Sequence, residues 1–276
     1  MSTTWNPEQY AKFSDHRSRP FGDLLARVGA RSPSLVVDLG CGNGPLTLSL
    51  AERWPDARVV GVDHSPEMLQ AARGLDASGR VEWLEADVAT WEPASLGVTP
   101  DVVVTNATLQ WVPSHEAVLR RWADALAPDG WLAMQVPGNL DAPSHALMRS
   151  VASGHPAAER LRPALDRLRV DEPAHYVELL AAAGLEVDAW ETTYQHVLDP
   201  EGRQASPVLE WVRGTGLRPV LETLTDAVER DAFLAEYDAR LQAAYPRTSV
   251  GVVFPFRRIF AVGHKGDGAV PQPAGS

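Results

Sequence analysis

The sequence predicts an α/β fold: a doubly wound, mostly parallel seven-stranded sheet, Rossmann-like, with helical insertions near its end. Three observations carry that expectation. Short runs that are apolar at nearly every position suit strands buried on both faces. These runs alternate with amphipathic stretches of helical period. A glycine-rich turn comes directly after the first run, where such folds bind ligands.

The elements come in order. Residues 8–28 read as an amphipathic helix or pair of helices broken at Pro20. Ser34–Gly40 is a buried strand, and Pro45–Arg53 is a helix carrying Leu46, Leu50 and Trp54 on one face. Ala57–Val62 is a second strand leading to Asp63, and Ser65-Pro66 opens the next helix. Arg80–Leu84 ends near Asp87, and Asp101–Thr105 is a fourth strand. Ser114 caps a helix with Leu119, Trp122, Ala123 and Leu126 on one face, and Pro128-Asp129-Gly130 stops it before the strand Trp131–Val136. Beyond this point the rhythm changes. Residues 138–183 read as mostly helical, Leu185–Leu198 as a long strand, 205–245 as helical, and Phe256–Val262 as a final strand. Long insertions in compact domains tend to be functional, so both helical segments are expected to cap the catalytic face. The expected organisation is one domain over 1–265, with a cofactor-binding core at 34–136, cap segments at 138–183 and 205–245, and a disordered tail at 266–276.

Composition narrows the function. A net charge of −11, from 25 basic and 36 acidic residues, argues against nucleic acid or an anionic membrane as a general partner. No obligate protein partner is evident. Lys12 and Lys265 are the only lysines, and arginine supplies the remaining basic side chains, whose planar fork suits carboxylates. Cys41 is the sole cysteine, so no intrachain disulfide forms. The start Met-Ser-Thr-Thr-Trp has no signal-like pattern and no apolar run reaches spanning length, so a cytoplasmic setting is expected. Cys41 has no His or basic neighbour in sequence to activate it and reads as a small buried residue.

Asp38-Leu39-Gly40-Cys41-Gly42-Asn43-Gly44 occupies the first strand-to-helix turn. A dinucleotide site would read G-x-G-x-x-G and receive a pyrophosphate; here the spacing is G-x-G-x-G, and Pro45 stands at the third dinucleotide position. Asp38, two residues before the first glycine, would repel pyrophosphate but can hold the ammonium of a sulfonium cofactor. Asp63 is placed for two ribose hydroxyls and Asp87 for an adenine amino group, with Val88 beside it. His64 and Met68 flank the adenosine, Met68 serving equally well as core, and Asn106 faces the methionine end. Residues 34–136 resemble the class I methyltransferases, which implies S-adenosylmethionine as cofactor.

The segment after the fourth strand argues against several acceptor classes. Asn106-Ala-Thr-Leu-Gln-Trp111 is not the Asn/Asp-Pro-Pro-aromatic turn of amino-methylating enzymes, and no cysteine there supports cytosine chemistry. No cluster of oxygen ligands or ligand-spaced histidines suggests a metal. A wider set of motifs is similar to the trans-aconitate 2-methyltransferase family: Trp5-Asn-Pro-Glu-Gln-Tyr10 with Phe13, Arg17 and Arg19-Pro20; Leu109-Gln-Trp111-Val-Pro113; Gln135-Val-Pro137-Gly-Asn139; Pro143-Ser-His145; Trp190-Glu-Thr-Thr-Tyr194 with His196; Trp211-Val with Thr215 and Arg218-Pro219; and Phe254-Pro-Phe-Arg257-Arg258. Asn43-Gly44-Pro45 departs from the Gly-Pro-Gly usual in that family, though small turn-forming residues remain.

That resemblance implies esterification of one carboxylate of trans-aconitate to a monomethyl ester. An ionised carboxylate needs no general base, so no catalytic residue is expected beyond positioning and exclusion of water. The other two carboxylates of this small tricarboxylate want cations, for which Arg19, Arg257 and Arg218 lead, with Arg17, Arg213 and Arg258 behind them. Arg19 or Arg17 serves equally well as a partner for the cofactor carboxylate. Tyr10, Gln110, Trp111, Tyr176, Tyr194 and His196 add hydrogen bonds or walls, Trp111 and Trp211 serving equally as packing. The alternatives are a methyltransferase for another small acid or secondary metabolite, a non-catalytic S-adenosylmethionine-binding regulator, and a dinucleotide oxidoreductase.

Overall fold

A computed structural model of the chain describes residues 14–165 and 170–267, the side chains of 14–17 excepted. The chain divides into two compact units. The first holds Met1–Val136, Asp171–Glu191 and Ile259–Ser276; the second holds Pro137–Val170 and Thr192–Arg258.

The first unit contains α1 (Ser14–Leu25), β1 (Leu35–Leu39), α2 (Pro45–Arg53), β2 (Arg58–Asp63), α3 (Pro66–Leu75), β3 (Val81–Glu85), β4 (Val102–Asn106), α4 (His115–Asp124), β5 (Trp131–Pro137) and α7 (Pro173–Ala182). The strands β3-β2-β1-β4-β5 lie side by side in that order, and the sheet continues through β8 (Gly251–His264) to β6 (Glu186–Leu198). Pairing from β1 to β5 is parallel, with Val36 opposite both Val59 and Val102, and Val102 opposite Trp131. All five residues of β1 are buried, as are Val102–Val104 and Leu132–Val136. Those continuous apolar runs need cover on both faces, which the crossover helices supply. The Asp101 carboxylate accepts the Ser34 and Leu35 N–H groups at 2.7 and 2.8 Å, pinning the start of β1. Between β1 and β4 the strand order reverses, so the crevice beyond their C-terminal ends is the switch point where ligands bind in such sheets.

The second unit holds α5 (Pro143–Gly154), α6 (Ala158–Leu165), α8 (Pro207–Arg213), α9 (Arg218–Thr223), α10 (Ala227–Ala244), β7 (Arg247–Thr248) and the remaining ends of β6 and β8. Phe233, Tyr237, Leu241 and Phe254 form its core. Tyr237 donates to the Ser144 carbonyl at 2.8 Å and Ser144 N–H donates to Tyr245 Oη at 3.0 Å, so α10 and its end anchor the start of α5.

Several expectations change. Pro20 lies inside α1 rather than breaking it. Burial of Phe21, Leu24 and Leu25 outweighs the hydrogen bond that proline removes. Residues 173–182, expected in a cap, form α7 of the first unit, where buried Tyr176, Leu179 and Leu180 face the core. The stretch 205–245 is three helices, interrupted between Gly214 and Leu217 and between Leu224 and Asp226. The final strand is longer than Phe256–Val262, and two-residue β7 pairs antiparallel with its start, making eight strands among the described residues with seven on the continuous path. From residue 268 the expected tail lies outside the described residues. No described helix is long and apolar enough to cross a membrane.

Candidate active site

In the first unit, the turn after β1 is built on backbone geometry. Gly40 and Cys41 N–H both donate to the Val62 carbonyl, at 2.8 and 3.0 Å, which folds the turn back against β2. Gly40 has φ +83°, and a Cβ there would lie 2.1 Å from Thr108 Oγ1, so the Thr108 side chain occupies the space glycine leaves. Gly42 has φ +56° with nothing within 4 Å of an added Cβ; this glycine faces open space. The wide ring of Trp83 fills the other side, 2.7 Å from where a Cβ would stand on Gly44 or Gly61.

Asp38 and Asp63 sit at adjacent strand ends, on β1 and β2. Asp38 is 2 % exposed and accepts one hydrogen bond, from Thr47 Oγ1 at 2.6 Å. Burial pushes its carboxyl up to about 7; the Thr47 bond opposes that rise and the negative charge of Asp63 adds to it. Among the described residues no cation pairs with it. Asp63 accepts Gly42 N–H on Oδ2 and Ser65 N–H on Oδ1, both at 2.9 Å, tying the glycine turn to the start of α3. Each oxygen keeps a lone pair beyond those bonds. His64, half-exposed, places Nδ1 3.6 Å from Asp63 Oδ1. Met68 is fully in the core and its N–H is capped by Ser65 Oγ at 3.2 Å. Asp87 is exposed beyond β3; its Oδ1 accepts Ala89 N–H at 2.9 Å, and Val88 beside it is buried. Burial, Asp38 and Asp63 together push the Cys41 thiol up, so it stays a thiol.

Beyond β4 the chain turns sharply at Ala107, φ +56°, whose N–H donates to the Gln135 carbonyl at 2.9 Å. Gln110 Nε2 donates to the Ala107 carbonyl at 2.7 Å. Asn106 Oδ1 and Gln110 Oε1 are buried oxygens without a donor among the described residues. Asp38 is a buried carboxylate that a cationic group would satisfy, beside a glycine open to a ligand, and the two buried oxygens beyond β4 are acceptors a ligand donor could meet. An amino-acid sulfonium meets that description; a pyrophosphate does not.

In the second unit, Tyr194, His196, Trp211 and Phe256 form an aromatic stack. His196 lies 4.9 Å from Trp211 at 28° and 6.2 Å from Tyr194 at 6°. Arg258 is buried with its guanidinium 4.9 Å from the Phe256 ring. Arg257, next along β8 and half-buried, has its backbone held by the Asn139 side chain in both directions, at 2.8 Å each. Arg218 opens α9 and its Nε donates to Glu222 at 3.0 Å. Arg213 lies 3.4 Å from Glu210. His145, over Gly216, is pushed down to about 4 by desolvation and the charge of Arg149, so its imidazole is neutral at pH 7.

A methyltransferase domain model matches residues 13–189. The chain is 52% identical over 272 residues to trans-aconitate 2-methyltransferase of Streptomyces avermitilis, covering 95% of this chain and 97% of that one. It is 52% identical over 263 residues to the enzyme of the same name from Rhodococcus jostii, covering 94% and 98%. This chain belongs to the trans-aconitate 2-methyltransferase family. It is a methyltransferase whose cofactor is S-adenosylmethionine. Solved structures share the fold at low identity: the YcgJ protein from Bacillus subtilis, with TM-score 0.55 and 14% identity over 91% of this chain and all of that one, and Haemonchus contortus phosphoethanolamine N-methyltransferase 2, with TM-score 0.53 and 17% identity over 90% and 52%.

In this family member Asp38, Asp63 and Asp87 each stand at or just beyond the end of their own strand, β1, β2 and β3. Asp38 and Asp63 act on each other electrostatically, whereas Asp87 is exposed beyond the neighbouring strand. Of the acceptor-side residues, Arg19 is exposed on α1, and Gln110 and Trp111 lie in the short helical turn after β4, all in the first unit. Arg257, Arg218 and Tyr194 belong to the second. Tyr10 and the rest of the motif up to Phe13 lie outside the described residues, as does the side chain of Arg17. Tyr176 lies apart from these, in α7 of the first unit. It is wholly buried in α7, its hydroxyl accepts Asp171 N–H at 3.2 Å, and it meets His115 Nε2 at 3.1 Å. Packing and those partners account for its place in α7, facing the core of the first unit. Near it, Glu116, Asp171 and His175 bring one ligand atom each within 4.8 Å of one another. That grouping of residues distant in sequence was not foreseen. His175 lies 3.2 Å from Glu116, and buried His115 lies 3.6 Å from Asp171, so the grouping belongs to a local polar network around α7. Thr47, Thr108 and Trp83 were also missed. A hydroxyl in the first turn of apolar α2, nine residues after Asp38, was the available signal for Thr47.

Proposed function

We propose that this protein transfers the methyl group of S-adenosylmethionine to one carboxylate oxygen of trans-aconitate, releasing the monomethyl ester and S-adenosylhomocysteine. The observation carrying the cofactor half is Asp38: a buried carboxylate held near neutrality for want of a cation, next to an open glycine turn. The acceptor half is carried from relatives at about 52% identity along nearly the whole chain.

The cofactor, when bound, supplies an electrophilic methyl on a sulfonium. Asp38 meets its ammonium and is thereby kept ionised. Gly40 and Gly42 let the backbone approach. Asp63 retains acceptor capacity for ribose hydroxyls, and Asp87 and Val88 serve the adenine, with His64 along the adenosine. Asn106 offers its buried oxygen toward the methionine end. The acceptor is already an anion near pH 7, so no residue need remove a proton. Charge is neutralised as the bond forms, which makes alignment and exclusion of water the protein's main contribution. Arg257 is the leading partner for a non-reacting carboxylate. Arg218, already bound to Glu222, is a weaker one, with Tyr194 in the same unit; Arg19, Gln110 and Trp111 of the first unit are the further candidates. A single cysteine and the net charge of −11 favour a cytoplasmic setting with no nucleic-acid or membrane partner.

The test is incubation with methyl-labelled S-adenosylmethionine and a panel of tricarboxylates, other small acids, phenols and amines. A base-labile labelled ester formed fastest on trans-aconitate is the expected result. Transfer to phenols or amines alone overturns the carboxylate assignment. Faster transfer to another acid overturns trans-aconitate. Cofactor binding with no transfer to any acceptor leaves a regulator.

A further inference from the structure

Arg257 stands where ordinary sheet pairing gives out. β5 ends at Pro137, which has no N–H to donate, and the chain then leaves the sheet. The backbone of Arg257 is nonetheless fully paired. Gly138 N–H donates to the Arg257 carbonyl at 3.0 Å, Asn139 Nδ2 donates to the same carbonyl at 2.8 Å, and Arg257 N–H donates to Asn139 Oδ1 at 2.8 Å. A side-chain carboxamide here stands in for a peptide group and extends the ladder by one rung. Asn139 is 3 % exposed, so water does not compete for these bonds.

The rung lies at a place where register decides chemistry. Arg257 and Arg258 are consecutive in β8 and so point to opposite faces. Arg258 is buried with its guanidinium against Phe256, whereas Arg257 is the more exposed of the two. A slip of one residue would exchange them. We infer that Asn139 is a positioning residue for acid recognition: by gripping the Arg257 backbone from both sides it fixes which of the two arginines is presented to the acceptor's carboxylate, and how firmly. This rests on the reading that Arg257 meets the acid.

The experiment is steady-state kinetics on Asn139→Ala, on the isosteric Asn139→Asp, which keeps the acceptor for Arg257 N–H but turns an oxygen on the Arg257 carbonyl, on Arg257→Ala, and on the Asn139→Ala/Arg257→Ala double variant. Both Asn139 variants are expected to raise KM for trans-aconitate about tenfold while KM for S-adenosylmethionine stays within about twofold. The double variant should be no worse than Arg257→Ala alone, because Asn139 acts through Arg257. Equal rises in both KM values, an additive double variant, or two Asn139 variants that fail to fold would each reduce Asn139 to a structural role and overturn the inference. An Arg257→Ala that leaves KM for the acid unchanged removes the underlying reading instead. An effect of Arg257→Ala without one from Asn139 removes the inference alone.

Discussion

Around Gly40–Gly44 the chain is held by its own backbone and by near neighbours: two N–H groups on Val62, one on Asp63, and Thr47 on Asp38 nine residues away. Around Arg257 it is held by an amide side chain 118 residues distant, next to a stack of four rings drawn from β6, α8 and β8. The first region offers a ligand positive-φ glycines and a buried charge. The second aims long, flexible side chains. On the proposed reading, a cofactor site can be written in a short motif because backbone geometry does the recognising, whereas an acceptor site cannot, because its parts meet only after folding.

The sharpest test of that division is Asp38→Asn, which keeps the hydrogen bond from Thr47 but removes the charge. Affinity for S-adenosylmethionine should fall about 100-fold or more by calorimetry, the scale expected for losing a buried charge-assisted contact. KM for trans-aconitate at saturating cofactor should stay within about twofold. If the acid KM moves as far as the cofactor affinity, the two regions are not separable in the way proposed. Arg257→Ala should do the converse, raising KM for the acid about 30-fold, or about 2 kcal/mol, while leaving cofactor affinity alone.

A pH series sharpens the first half further. The folded, cofactor-free protein carries Asp38 near 7 against 3.8 for the ordinary carboxyl. Protonated Asp38 is the stable buried form, so its contribution to stability is fully present below about pH 4 and is lost as pH rises through about 7. A cationic ligand requires the ionised form, so binding releases a proton at acid pH. Affinity for S-adenosylhomocysteine should fall about tenfold between pH 6 and pH 5, while Asp38→Asn should be flat over the same range. A wild-type profile as flat as that of Asp38→Asn would show that Asp38 does not meet the ligand's charge.

Much of the first unit was legible because its signals are local. Apolar runs gave β1, β4 and β5, and the Asp38–Gly44 motif placed the turn at the switch point. Trp83 was not legible as the residue that demands glycine at positions 44 and 61, since that is a packing relation between strand, turn and helix. Pro20 misled because tertiary burial overrides a local rule. In the second unit Arg257 was read as a binding residue, but nothing local revealed that Asn139 holds it. The long helical reading of 205–245 missed its breaks for a related reason: Gly216 sits against His145, a contact made only in the fold.

Tyr176 shows the same limit from the other side, and it gives the smallest effect. The sequence reading offers Tyr176 as a hydrogen bond or wall for the acid, and the fold buries it against His115 and the backbone of Asp171. Burial also pushes the phenol up and His115 down, so both are neutral near pH 7. Tyr176→Phe keeps the ring and removes only the hydroxyl, leaving Asp171 N–H without its acceptor. Stability should drop by about 1–2 kcal/mol in denaturant unfolding, with both KM values unchanged. A selective rise in the acid KM with unaltered stability would instead return Tyr176 to the acceptor site, and with it the view that α7 serves recognition rather than the core.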